Sequence, residues 1–303
     1  MYYLMGLKWN LTNVGVLSYK HLDGRKPIGF SELKSGYLEY IKSVQPTLPI
    51  SISSSLVEFV DDLEMEKTLL SFFIQKIKKT ESDSIVTDVT EASISDGFKN
   101  YDLYRKQRVL DGMKNALLEI KTKEEKLHQL ISLVINKIFS FPILGRGGGS
   151  TSTALGVIWA NAPLHWDEID HFELLIHEFT HNLYFLDEAA HRHYCDYKRL
   201  EAKENFAVSA ILKIPRRLDR VMHSLVVGTE ILLLRENLIG HSHKFKAHPE
   251  SKNLVINNLS TIETIYQIKN LSEIMTERNL GILNRCKEVN LNFSENIIAS
   301  SKE

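Results

Sequence analysis

Two histidines four residues apart constrain the fold of this chain more than any other feature of its sequence. They belong to the run His177-Glu178-Phe179-Thr180-His181. On an α-helix, residues four apart lie one above the other on the same face, so both imidazoles can reach a single metal ion. The glutamate between them then lies beside that ion. The spacing therefore predicts a helix that carries a metal site.

The flanking sequence indicates that this helix is mostly buried. Apolar residues surround the motif: Leu174, Leu175, Ile176, Phe179, Leu183 and Phe185. Asp167 precedes the apolar run as a predicted N-cap, because its side chain can accept from the first free N–H groups of a helix. Polar side chains are costly to bury unless they have partners. A metal ion supplies a partner, which favours a metal site over histidines that are simply packed in a core.

Composition and charge argue against several other classes of protein. The net charge of −1 leaves no broad basic surface, so nucleic acid is not an expected partner. Two cysteines, Cys195 and Cys286, are too few for a disulfide framework or a cysteine metal cluster. There is no apolar run of about 18 residues, as a membrane span would need, and no secretion-signal pattern at the N-terminus. We expect a cytoplasmic protein with no membrane partner.

Hydrophobic periodicity predicts a mainly α protein of the α+β type. Apolar residues recur at helical spacing in about 54–79 and 104–139. The composition then changes to a glycine run, and an apparent strand at 154–160 follows it. We predict a mostly helical N-terminal region, residues 1–140. A metal-binding catalytic region with C-terminal helices, residues 141–303, follows it, with a small sheet or hairpin beside the metal helix.

The glycine run, Gly145 to Ser150, needs its own interpretation. It lacks the Lys-Ser/Thr ending of a P-loop and the spacing of a dinucleotide fingerprint, so phosphate binding is disfavoured. We expect a flexible hairpin or lid beside the metal site, supplying backbone donors. The strand at 154–160 just before the metal helix offers an edge to which an extended peptide substrate can add.

A catalytic metal needs a third protein ligand as well as open positions. Glu201 follows His181 at the separation that thermolysin-like zinc peptidases use for their glutamate ligand. Those enzymes carry an acid four positions later, where this chain has Asn205. Glu230 is another candidate. Neither glutamate has a sequence context that singles it out.

His223 is the candidate that we prefer. The sequence predicts a long, apolar helix over about 217–237, and the polar residues Arg216, Arg220, His223 and Glu230 fall close to one stripe of it. An arginine one turn from a metal-binding histidine can hold a carboxylate through two parallel hydrogen bonds. That pairing suits a carboxylate cosubstrate that chelates the same metal.

Two segments, Leu175 to His181 and Arg216 to His223, together resemble a known family. The family is the HExxH-type 2-oxoglutarate-dependent peptide β-hydroxylases, which occur with ribosomally made, modified peptides. The resemblance covers residues 145–234, roughly. Its helix is zincin-like, so many relatives carry the label of metalloprotease.

The resemblance implies a set of site residues. Iron(II) is bound by His177, His181 and His223. The arginine seven residues before the third histidine, Arg216, holds 2-oxoglutarate. Many members have proline directly after that arginine, whereas this chain has Arg217, so Arg220 remains a candidate as well.

The first functional hypothesis is therefore an Fe(II)/2-oxoglutarate-dependent oxygenase that hydroxylates a side-chain (β) carbon of a ribosomally made precursor peptide. Three protein ligands leave two positions of an octahedral iron for 2-oxoglutarate and one for oxygen. Glu178 then has no required role as a base and orients a ligand from beside the metal.

The alternative is a zinc-dependent metallopeptidase. Zinc would polarise the scissile carbonyl and acidify a bound water, and Glu178 would take its proton as the general base. The bare motif favours this hypothesis, whereas Asn205 and the lack of a metzincin-type third histidine argue against it. A third hypothesis is a binding protein on a zincin-like scaffold that no longer catalyses a reaction. We rank the oxygenase first, on the resemblance.

Overall fold

The computed structural model describes residues 1–6, 30–50, 57–79, 102–141 and 147–299. The chain forms two compact units. Residues 10–186 form the first, which we call the sheet unit; residues 1–9 and 187–303 form the second, which we call the helical unit. The domain boundary predicted after residue 140 falls inside the sheet unit.

The sheet unit combines long helices with one small sheet. Its described helices are α1 (Phe30–Val44), α2 (Leu63–Lys79), α3 (Leu103–Lys123), α4 (Glu125–Val134) and the greater part of α5 (Glu168–His191). Its described strands are β1 (Glu58–Phe59), β2 (Lys137–Ser140), β3 (Gly148–Gly149) and β4 (Val157–Ala160). The prediction of a mainly α, α+β protein with a small sheet beside the metal helix is confirmed.

The sheet has the order β1-β2-β4-β3. The first three of these strands are parallel, whereas β3 runs antiparallel to β4 at the edge, with Gly148 opposite Ala160 and Gly149 opposite Trp159. The addition of a peptide at 154–160 stays a prediction, and among the described pairings of β4 only Val157 and Ile158 have a neighbouring strand on one side alone. Trp159 and Ala160 already have neighbours on both sides, and residues 154–156 form a turn before the strand. The glycine strand β3 forms the edge.

A buried lysine marks the point where helix changes to strand. Helical periodicity predicts one continuous pattern to residue 139, but α4 ends at Val134 and β2 begins at Lys137. Lys34 on α1 is 2% exposed and donates from Nζ to the carbonyl oxygens of Ser132 (2.7 Å) and Leu133 (3.0 Å). These carbonyls have no partner within the helix, so the lysine side chain satisfies the end of α4.

Helix α5, which carries the motif of His177 and His181, begins as the sequence predicts. Asp167 Oδ1 accepts from the N–H groups of Ile169 (3.1 Å) and Asp170 (3.2 Å). Asp170 in turn accepts from the N–H of Asp167 through Oδ2 at 3.1 Å. This reciprocal cap satisfies donors that the first turn leaves unpaired and confirms Asp167 as the N-cap. The start of α5, and with it the position of the motif, is fixed locally.

The helical unit begins with a short hairpin, and longer helices follow. Strands β5 (Phe206–Val208) and β6 (Pro215–Arg217) pair antiparallel. The helices are α6 (Leu218–Leu234), which continues into a π-helical turn (Arg235–Ile239), then α7 (Ser251–Tyr266), α8 (Leu271–Ile274) and α9 (Glu277–Ala299). The helix predicted from residue 217 thus starts at Leu218, and Arg216 lies in a strand before it.

A buried polar network joins α6, α7 and α9. Asn258 donates to Asn290 Oδ1 at 2.9 Å, and Asn290 donates to Thr229 Oγ1 at 2.9 Å. All three residues are at most 1% exposed. A Cβ on Gly228 would lie 2.6 Å from Asn258 Oδ1, so only glycine permits this close crossing of α6 and α7. Among the helices that the structure describes, none is long and apolar enough to cross a membrane.

We predict that Lys34→Met destabilises the protein by roughly 1–3 kcal/mol, because the carbonyls at the end of α4 lose their donor. Burial lowers the pKa of Lys34 from 10.5 to about 7. Between these pH values the unfolded chain holds a proton that the folded chain has released, so this lysine makes the free energy of unfolding rise with pH.

Urea denaturation at pH 7 and pH 9 measures both effects. The variant should lose part of the increase that the parent shows between the two pH values. Lys42→Met, at an exposed position on the same helix, serves as the control and should behave like the parent. Equal pH dependence in Lys34→Met and the parent would contradict the assignment.

Candidate metal centre

The two motif histidines are the exceptions on a buried helix. Between Asp170 and Leu186 every residue of α5 is buried apart from His177 and His181, which are partly exposed. The His177 side chain is 19% exposed. The helix is thus packed against protein along this stretch except at the two imidazoles, where a ligand can reach it.

The geometry of the imidazoles fits a shared metal ion. The Nε2 atoms of His177 and His181 lie 3.2 Å apart. Two nitrogens that each lie about 2.0–2.1 Å from a tetrahedral zinc ion are roughly 3.3 Å apart, and octahedral iron requires a slightly shorter separation. The His181 ring also stacks on Phe185, with centroids 6.3 Å apart and planes at 23°. The donor set and its spacing fit a divalent ion held by two imidazoles, and both zinc and iron match.

The third member of the motif lies beside this point. Glu178 is 3% exposed, and its Oε1 is 3.9 Å from His177 Nε2. The ligand atoms of His177, Glu178 and His181 all lie within 4.8 Å of one another. Neighbouring ligands of one ion are about 3.0–3.4 Å apart, so the carboxylate is slightly too distant to share the ion in this arrangement. It lies where it can contact a molecule bound to the ion.

The edge strand β3 passes directly over this carboxylate. A Cβ on Gly148 would lie 2.8 Å from the carbonyl oxygen of Trp159, 3.0 Å from Leu174 Cδ1 and 3.4 Å from Glu178 Oε1. Any side chain here would therefore push the strand away from the helix or displace the carboxylate. Gly148 is therefore explained by its close approach to α5, whereas a Cβ on Gly147 would meet the Trp166 ring and one on Gly149 the Trp159 ring.

Two residues that the sequence did not single out complete the surroundings of Glu178. Ser150, directly after β3, has its Oγ 2.8 Å from Glu178 Oε2. Asn182, directly after His181, is fully buried and donates from Nδ2 to Ser150 Oγ at 3.1 Å. Their proximity in sequence to the glycine run and to the motif was the available signal. Neither residue type predicts such a contact without the fold.

The alternative glutamate ligands differ in what they already contact. Glu230 is 1% exposed and forms an ion pair with the amino group of Met1. Its carboxylate also accepts from the N–H groups of Tyr3 (2.7 Å) and Leu4 (3.1 Å). Glu201 is exposed at the end of a short 3-10 helix, Tyr197–Glu201. The carboxylate of Glu230 is therefore already engaged, and Glu201 lacks the helical setting that the peptidase comparison requires.

The remaining predicted site residues belong to the helical unit. His223 lies on α6 and is 8% exposed. Arg216 lies in β6 opposite Ala207, and Arg220 is half-buried on the first turn of α6. The predicted polar stripe is wrong at Arg216, which precedes the helix in β6, whereas Glu230 lies on α6 as predicted and is buried. His223 and Arg220 keep their relation, three residues apart on one helical face.

The three neighbouring arginines are not equivalent. Arg217 forms an ion pair with Asp219, with Nε 3.3 Å from Oδ1 and Nη2 3.3 Å from Oδ2. The Arg220 side chain makes no hydrogen bond or ion pair with any other residue that the structure describes. A half-buried guanidinium is costly to keep without an anion. Arg217 is therefore already paired with an anion, whereas the described residues supply none to the Arg220 guanidinium.

Another buried histidine shows the contrasting case. His193 is fully buried, and its Nε2 lies 2.7 Å from Asp187 Oδ2, which also accepts from Arg278 Nε at 3.0 Å. Burial alone would raise the pKa of Asp187, but hydrogen bonds from His193 and Arg278 outweigh it and lower the pKa to about 2. Here the protein itself supplies the polar partner, as expected of a structural histidine.

No protein-family model matches the sequence, and no curated protein matches it either.

Proposed function

We propose that the protein is an Fe(II)/2-oxoglutarate-dependent oxygenase that hydroxylates a side-chain carbon of a peptide. The single observation that carries the metal chemistry is the convergence of the Nε2 atoms of His177 and His181 at 3.2 Å. The choice of iron and 2-oxoglutarate rests on the resemblance described above, and Arg220 adds support for it.

His223 is the proposed third ligand. Glu230 already binds the Met1 amino group and two backbone N–H groups, and removing it from them would leave buried donors without a partner. Glu201 is an exposed carboxylate. A nearly buried imidazole at the expected position of the resembling family remains, and imidazole is a ligand that suits iron.

Arg220 is the proposed contact for the cosubstrate. The distal carboxylate of 2-oxoglutarate needs a cation, and a planar guanidinium can donate two parallel hydrogen bonds to it. Arg220 is half-buried, has no partner among the described residues and lies one turn from His223. Its place on α6 supports Arg220 over Arg216, the position that the resemblance alone would choose.

The roles of the chain's own residues follow. Bound iron with 2-oxoglutarate and oxygen would supply the oxidant for a C–H bond. The three histidines would hold the ion, and Arg220 would fix one end of the cosubstrate. Glu178, buried beside the imidazoles, would orient a ligand of the ion from its side. The peptide would approach where the helix surface opens, at His177 and His181.

A zinc-dependent metallopeptidase remains a second candidate because of one observation. Glu178 Oε1 lies 3.9 Å from His177 Nε2, the position that a general base needs in order to reach a metal-bound water. A hydrolase would use this oxygen to take a proton from the water during attack on a peptide carbonyl.

We predict that His177→Ala, His181→Ala and His223→Ala each abolish stoichiometric Fe(II) binding, because two remaining ligands hold the ion too weakly. Metal content after anaerobic loading and gel filtration measures this. Glu201→Gln and His191→Ala, at exposed positions, serve as controls and should bind one equivalent. Loss of metal in Glu201→Gln together with retention in His223→Ala would contradict His223 as the third ligand and favour the peptidase.

We also predict that the Fe(II) protein binds 2-oxoglutarate under anaerobic conditions with a visible metal-to-ligand charge-transfer band. Arg220→Lys should raise the 2-oxoglutarate concentration at half-saturation about tenfold, or ~1.4 kcal/mol, since a lysine cannot make the bidentate pair. Arg216→Lys should have a smaller effect. Arg217→Lys is the matched control, because that arginine pairs with Asp219. Absence of the band in the parent would reject the oxygenase.

Glu178 separates the two candidate mechanisms. In a hydrolase, Glu178→Gln should lower the turnover rate by about two orders of magnitude or more with the metal retained. In the oxygenase we predict a milder loss, because the residue orients a ligand and transfers no proton in the decisive step. Rates of peptide hydroxylation and of peptide cleavage, both followed by mass spectrometry, give the comparison. A near-inactive variant that binds iron and 2-oxoglutarate normally would count against the oxygenase.

A further inference from the structure

We propose that Asn182 and Ser150 form a hydrogen-bond relay that positions Glu178 for its work at the metal centre. The relay runs from the backbone of Gly156 through the two side chains to Glu178 Oε2. It holds that oxygen and leaves Oε1 beside the imidazoles. The inference rests on the proposed metal site, whose failure can be recognised separately.

The direction of each hydrogen bond in the relay can be deduced. The N–H of Gly156 only donates, so the Asn182 atom 2.8 Å from it must be the carbonyl oxygen Oδ1. The amide nitrogen Nδ2 then points towards Ser150 Oγ, at 3.1 Å, and towards the carbonyl oxygen of Glu178, at 3.0 Å. The orientation of Asn182 is therefore fixed by its three contacts.

The serine proton follows from this orientation. Because Nδ2 can only donate, Ser150 Oγ accepts from Asn182 and its own proton must go elsewhere. Two acceptors are near: Glu178 Oε2 at 2.8 Å and the Glu178 carbonyl oxygen at 3.1 Å. The carbonyl already accepts from Asn182, and an ionised carboxylate is the stronger acceptor. Ser150 therefore donates to Oε2.

The relay has a mechanical consequence for the site. With Oε2 held by Ser150, rotation of the carboxylate is restrained, and Oε1 stays 3.9 Å from His177 Nε2. Gly148 leaves the space beside Oε1 clear of any Cβ. Groups held within a fraction of an ångström of their working position contribute most to catalysis. Ser150 and Asn182 act on the site through Glu178 and not through direct contact with the imidazoles, so they are positioning residues.

The relay also ties the edge of the sheet to the metal helix. Ser150 directly follows β3, and Gly156 directly precedes β4. Asn182 on α5 is 0% exposed. Its side chain accepts from the N–H of Gly156 and donates to Ser150 Oγ, so it binds the residue after β3 and the residue before β4. The carboxylate and the strand that passes over it are therefore held by the same amide side chain.

The first test uses metal-free protein and measures thermal unfolding of Ser150→Ala, Glu178→Gln and the double variant. If Ser150 donates to Glu178, the two losses in melting temperature overlap, and the double variant falls short of their sum by about 2 °C or more. Ser152→Ala, at an exposed position two residues away, is the control and should add to Glu178→Gln without coupling. Full additivity for Ser150 and Glu178 would overturn the relay.

The second test reads the metal centre directly through the visible spectrum of the Co(II)-loaded protein. Ser150→Ala should change the spectrum in the same direction as Glu178→Gln, whereas Ser150→Thr, which keeps the hydroxyl, should restore the parent spectrum. Asn182→Asp replaces the donor to Ser150 by an acceptor, which draws the serine proton away from Glu178. This variant should also give the Glu178→Gln type of spectrum although its serine is intact.

The outcomes separate the relay from the proposed function. If the parent protein binds neither Co(II) nor Fe(II), the proposed metal site is rejected. The relay is then tested only by the non-additive melting temperatures of the metal-free variants. If the parent binds metal but does not turn over 2-oxoglutarate, the oxygenase is rejected, and the Co(II) spectra of the variants still test the relay. Where turnover is measurable, Ser150→Ala should lower kcat about tenfold with KM unchanged. Parent-like spectra in both Ser150→Ala and Asn182→Asp would overturn the relay.

Discussion

The burial of polar side chains on helix α5 is the constraint on which the rest of this structure depends. Helix α5 is enclosed from Asp170 to Leu186 except at two positions, yet it carries a series of polar side chains. Each must find a partner or cost free energy. Asp170 completes the N-terminal cap, and Asn182 satisfies Gly156, Ser150 and a helix carbonyl. The Nε2 atoms of the two exceptions, His177 and His181, lie 3.2 Å apart, which is the spacing that a shared metal ion requires.

The features set by neighbouring residues could be predicted from the sequence. The cap at Asp167, the apolar faces of α5 and the convergence of His177 and His181 all depend on positions within a few residues of each other. Hydrophobic periodicity was also enough for the mainly helical class. These predictions succeeded because a helix places its side chains by a fixed local rule.

The features set by distant residues could not be predicted in the same way. Glycine has low strand propensity, so the run was predicted only as a hairpin or lid, and the pairing of β3 with Trp159 and Ala160 was not predicted. The helix was predicted to continue beyond Val134, because no neighbouring residue in the sequence indicates that Lys34 caps the end of α4. Glu230 could not be separated from the other candidate ligands either. Its partner, the amino group of Met1, lies 229 positions away.

The position of Glu178 is compatible with either mechanism, so the decision depends on charges outside the HExxH motif. A hydrolase uses the ion, a water and one carboxylate oxygen, and a cation near the ion could stabilise only the transient oxyanion that forms on the peptide carbonyl. An oxygenase must also hold a dianionic cosubstrate, which requires a cation near a metal ligand. Arg217 is neutralised by Asp219, whereas Arg220 is half-buried without an anion among the described residues and lies one turn from His223. Under the proposed oxygenase, Arg220 would have a lasting partner in the distal carboxylate of 2-oxoglutarate, whereas a hydrolase would offer it only a transient oxyanion.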